Sequence, residues 1–122
     1  MTHQYVATVV RVVDGDTVIL DVDLGFGIWL RKQSFRLLGV NARERATEGG
    51  AAAAAHLASV LTVGTILSVT SVKDDKYGGR YNAHLTLADG RNLTQYLIQT
   101  GWAAAWNGSG AKPLPPWPRT GA

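Results

Sequence analysis

Residues 17–23 alternate apolar and polar side chains, with Val18, Leu20 and Val22 on one side and Asp21 and Asp23 between them. That period of two predicts a half-buried strand. A β-branched run over 5–13 precedes it, and Asp14-Gly15 between the two reads as a hairpin turn, with Gly15 expected to take a positive φ. A second turn at Leu24-Gly25-Phe26-Gly27 leads into a long strand over 28–40, expected to bend near Gln33-Ser34. The period then changes. After Thr47-Glu48-Gly49-Gly50 comes an alanine-rich helix over 51–61, with Leu57, Val60 and Leu61 as its apolar stripe. Residues 66–72 and 80–87 return to strand character, Ala88-Asp89-Gly90 turns the chain, and a helix over 92–99 is closed by Gly101.

The order is three strands, a helix, two strands and a helix, which is the plan of a five-stranded OB-type barrel. The domain is expected over 1–107. Residues 108–122 carry Gly108 and Gly110 and then Lys112-Pro113-Leu114-Pro115-Pro116-Trp117-Pro118, which suits neither helix nor central strand. They read as an extended tail, with Trp117 a candidate to pack on the barrel.

Composition narrows the chemistry. At 122 residues the chain suits one domain with a real core. It has no cysteine, which excludes disulfides, thiolate metal sites and cysteine nucleophiles. No basic-then-apolar leader opens it, and no apolar run approaches membrane-spanning length, so no membrane partner and a cytoplasmic or virus-encoded intracellular setting are expected. A net charge of +3 fits a polyanionic partner but does not single one out.

Three segments place acids and arginines at strand edges: Asp14-Gly15-Asp16-Thr17, Arg36 through Glu44, and Asp75-Lys76-Tyr77-Gly78-Gly79-Arg80. Asp16 is either hairpin chemistry or an inward oxygen ligand for a hard cation; Asp14 belongs to the turn. Arg36, between Phe35 and Leu37, needs an anion: a salt bridge to Asp16 or Glu44, or a phosphate held bidentately. Asn41 and Glu44 are capping and solvated residues on one reading, ligand and base on the other. Arg80 follows a flexible glycine turn, and Lys76 and Tyr77 are placed to touch phosphate or a base. Trp102 reads as core and Trp106 as a base-stacking candidate. His3, His56 and His84 show no metal-ligand spacing and no catalytic role is assigned to them.

Taken together and in this order, the segments resemble the staphylococcal nuclease (thermonuclease) family over residues 5–106. The resemblance implies an OB-type barrel with about three helices, and a Ca²⁺-dependent nuclease that splits the phosphorus–5′-oxygen bond of DNA or RNA and leaves 3′-phosphates. It implies Asp16, Asn41 and the Ala42 carbonyl as metal ligands, Arg36 and Arg80 as phosphate-binding catalytic arginines, and Glu44 as general base. Lys76 and Tyr77 would contact the substrate. Two departures stand out. Asn41 occupies a position where the family often has aspartate, which removes one negative charge beside the metal and weakens Ca²⁺ binding. Ala42-Arg43 replaces a Thr-Pro pair. The alternative is a nucleic-acid-binding barrel without catalysis, and a third is an assembly protein whose Pro-Trp tail docks a partner. The stretch 20–35 is long, so the second hairpin should project.

Overall fold

In the computed structural model, residues 3–77, 80–107 and 109–115 are described, residues 72–77 by their backbone alone. Five strands, β1 (His3–Asp14), β2 (Thr17–Gly25), β3 (Ile28–Leu37), β5 (Ile66–Tyr77) and β6 (Arg80–Leu87), close a barrel in the order β1-β2-β3-β6-β5. The β3–β6 pair is parallel and the others are antiparallel. Two three-residue strands, β4 (Val40–Ala42) and β7 (Ala103–Ala105), pair separately. Helix α1 is Gly50–Val60 and α2 is Leu93–Gln99.

The alternation read from the sequence sets the core. Val18, Leu20 and Val22 are fully buried and meet Val9, Leu37, Val69 and Leu85 from the facing walls. Helix α1 closes one side with Ala53, Ala54 and Leu57, and Leu61 follows at its C-cap. Asn92 caps α2 by accepting the Gln95 N–H at 3.1 Å, which satisfies a donor the helix start leaves free.

Three expectations are corrected, and the bend expected near Gln33-Ser34 is found at the residue before it. The described residues hold two helices, not about three. The residues after Trp106 that are described contain none, because Pro113 and Pro115 remove the donors a helix needs. The strand expected over 28–40 stops at Leu37, turns at Leu38-Gly39, and resumes as β4. Its irregularity falls at Lys32, whose φ is 50°, opposite a register shift in β2. Gly15 does not take a positive φ. It is glycine for space: a Cβ there would come within 2.9 Å of the Ala42 and Ala53 methyl carbons. In the second hairpin, by contrast, Gly25, Phe26 and Gly27 all take positive φ, and Phe26 and Gly27 form a two-residue turn with the twist of a primed type. Trp117 lies outside the described residues. Among those described, no helix is long and apolar enough to cross a membrane.

Candidate active site

The barrel brings two distant segments together at Arg36. This residue pairs with Thr17 on β2 and with Asn82 on β6, so it stands between the first hairpin and the strand that begins at Arg80. The backbone beyond it turns sharply and is pinned from several elements. Leu37 N–H donates to Asp16 O at 2.9 Å, Leu38 N–H to Ala83 O at 3.0 Å, Thr94 Oγ1 to Leu38 O at 2.9 Å, and Trp106 N–H to Gly39 O at 2.9 Å.

That corner gives Arg36 its acceptors. Its Nη1 donates to Leu37 O at 2.7 Å and Val40 O at 3.0 Å, while Nη2 reaches Asn41 Oδ1 at 3.4 Å. Nη2 also pairs with Asp16 Oδ2 at 3.3 Å, both side chains being about nine-tenths buried. Asp16 Oδ2 accepts the Ala42 N–H at 2.9 Å, and Oδ1 accepts from Thr17 Oγ1 at 3.1 Å. Of the two readings of Arg36, the salt bridge to Asp16 is therefore present in the molecule. Arg36 also lines a cavity wall.

One cavity of about 280 Å³ is lined by Asp14, Asp16, Arg36, Asn41, Glu44, Arg45, Arg80 and Lys112. Beside it lies a second of about 410 Å³, and Arg36, Arg80 and Lys112 line both. Thus Asp16, Arg36, Asn41, Glu44 and Arg80, spread over 65 positions of sequence, face a common space. Arg80 bonds Thr17 Oγ1 at 3.3 Å. Glu44 is exposed, on a loop fixed by its own carbonyl, which accepts Thr47 N–H at 2.9 Å and Thr47 Oγ1 at 2.6 Å. Asp14 does more than turn the chain. Its Oδ1 accepts Arg45 N–H at 2.9 Å and so ties the Glu44 loop to the end of β1.

The remaining expected residues divide. Trp106 lines the larger cavity, with the Arg36 guanidinium and the Lys112 ammonium each 5.6 Å from its ring centre, within cation–π range. Lys76 and Tyr77 pair by backbone with Tyr81 and Arg80, and their side chains lie outside the described residues. Ala42 contributes its N–H, to Asp16. Arg45 and Lys112 escape a reading of the sequence. Arg45 carries no signal there; Lys112 does, as a cation among prolines in an otherwise apolar stretch.

The oxygen-only donors of Asp16 and Asn41, with the carboxylates of Asp14 and Glu44 on the same cavity, suit a hard cation in type. They are thinly spread. Among the described residues no three His, Asp or Glu side chains cluster closely enough to hold a metal. Arg36 already engages Asp16 and Asn41. The donor types therefore suit a hard cation, while their spacing does not form a closed set of ligands. No protein-family model matches this chain, and no curated protein matches it.

Proposed function

We propose that the chain is a metal-assisted phosphodiesterase acting on DNA or RNA, a nuclease of the staphylococcal type on an OB-type barrel. One observation carries the reading: Arg36 and Arg80, from separate strands, share a cavity with Asp16, Asn41 and Glu44. In-line attack on a phosphodiester adds negative charge to the phosphoryl oxygens, and preorganised guanidinium groups aimed at those oxygens stabilise it where it develops. Arg80, whose one side-chain bond among the described residues is a long one to Thr17, would turn its remaining donors toward an anion. Arg36 is held rigidly by the corner carbonyls, so it meets the anion with little reorganisation. Glu44, exposed and lining the same cavity, would take a proton from a water attacking opposite the leaving 5′ oxygen. Ca²⁺, held by Asp16 and Asn41 and by the Ala42 carbonyl that the family resemblance adds, would supply further neutralisation of phosphoryl charge.

A second reading has its own support. The Asn41 amide donates to Pro113 O at 2.9 Å, so part of the expected metal site serves the tail. That favours a nucleic-acid-binding barrel without chemistry. Incubation of single-stranded DNA with Ca²⁺, then with chelator, separates the two. The nuclease gives Ca²⁺-dependent fragments ending in 3′-phosphate, and Arg80→Ala and Glu44→Gln each lower the rate by roughly 10²–10³. Binding without fragments at any Ca²⁺ concentration establishes the second reading, and parent-rate cleavage by both variants overturns the residue assignment.

A further inference from the structure

The segment after Trp106 reads from sequence as a tail, yet the structure builds it into the cavity wall. Asn41 Nδ2 donates to Pro113 O at 2.9 Å and Arg43 Nη2 to Pro115 O at 3.0 Å, each across 72 residues of chain. Pro115 is fully buried. Trp106 holds the start of the segment, its Nε1 donating to Ser109 O at 3.0 Å. Between these anchors sits Lys112, exposed, its ammonium over the Trp106 ring, at the boundary where both cavities also touch Arg36 and Arg80.

We infer that Lys112 is a substrate-binding residue: a third cation for a polyanion lying across the two cavities, held in place by Asn41 through Pro113. Successive phosphates of a strand carry one charge each. Lys112 faces carboxylates in the smaller cavity, but the lining of the larger one includes none, so a phosphate in the larger cavity, following the one at Arg36 and Arg80, meets Lys112, Trp106 and Asn82 on its acid-free side. Asn41 explains the anchoring. An amide donates to a carbonyl, whereas a carboxylate at that position would repel the Pro113 oxygen. Position 41 thus exchanges a metal-ligand charge for a fixed tail. Arg43 supports the same segment two residues further on, through Pro115.

This role rests on the nucleic-acid reading above, and the test separates the two. Affinity for a single-stranded oligonucleotide is measured in chelator over a range of salt concentrations. Removing one cation from a strand phosphate lowers the slope of log K against log salt by roughly 0.7. Lys112→Ala is expected to reduce the slope by about that much, while Arg91→Gln, which lines neither cavity, keeps the parent slope. Asn41→Ala, which removes one of the segment's anchors without adding charge, should lower the slope by less than Lys112→Ala does, and by nothing further when combined with it. A parent protein that does not bind oligonucleotide ends the nucleic-acid reading and this role with it. A parent that binds, with Lys112→Ala keeping its slope, overturns the Lys112 role alone. Full additivity of Asn41→Ala and Lys112→Ala overturns the anchoring by Asn41.

Discussion

Replacing Arg36 by methionine removes the guanidinium while keeping most of the stem, and the structure requires this to cost stability as well as activity. Arg36 is paired with Asp16 at 3.3 Å, with about a tenth of each side chain exposed. Removing one partner of a buried pair typically costs about 3–5 kcal/mol, because the other charge stays buried. Asp16 keeps its bonds to Thr17 and Ala42, and the cavity admits water to the freed carbonyls of Leu37 and Val40, which places the loss at the lower end, about 3 kcal/mol. With a urea dependence of about 2 kcal/mol per molar, the unfolding midpoint falls by about 1.5 M. The pair is isolated by adding Asp16→Asn, which should cost at least ~1 kcal/mol less in the Arg36→Met background than in the parent. Arg80→Met, losing one 3.3 Å bond, should stay within about 1 kcal/mol of the parent. An Arg36→Met midpoint equal to the parent's, or strict additivity with Asp16→Asn, would refute the buried pair as a structural element. The practical consequence is that lost cleavage in Arg36 variants does not by itself identify a catalytic arginine, whereas lost cleavage in Arg80 variants does.

Gly50→Ala should destabilise the fold by about 1–3 kcal/mol despite alanine's better helix propensity, because the added Cβ falls on the Glu44 carbonyl and pushes the Glu44 loop outward; a thermal midpoint at or above the parent's would contradict this. His56, stacked on Trp102 at 4.5 Å and hydrogen-bonded to Tyr96 Oη at 3.2 Å, has its pKa lowered from 6.5 by burial. The unfolded chain therefore takes up this proton first, so stability declines as pH falls below about 6.5, and His56→Gln should flatten that part of a urea-stability profile measured from pH 8 to 5.

The barrel is legible because its strands bury one face. Val18, Leu20 and Val22 announce their direction without any knowledge of their partners, and so do the apolar positions of 80–87. What does not show is whatever depends on meeting across the fold. A three-residue strand such as β4 has too few positions to display a period, and its partner β7 lies some sixty residues away. Gly15 is conspicuous in the sequence, but its reason, the Ala42 and Ala53 methyls, comes from elements remote in the chain. Among candidate site residues, Asp16, Arg36, Asn41, Glu44 and Arg80 are legible as a set because strand edges carry them in a recognisable order. The tail's place at the cavity is not, since nothing local to Pro113 or Pro115 points to Asn41 and Arg43.

The charge lining the smaller cavity connects these points. Arg36, Arg45, Arg80 and Lys112 face it together with the carboxylates of Asp14, Asp16 and Glu44, a formal excess of one positive charge. An aspartate at 41 would cancel that excess, and an incoming phosphate would then depend on a bound divalent cation for attraction. With asparagine there, the wall keeps its positive excess, so on the proposed nuclease reading capture of a polyanion and retention of a metal would be separable and can be assayed one without the other.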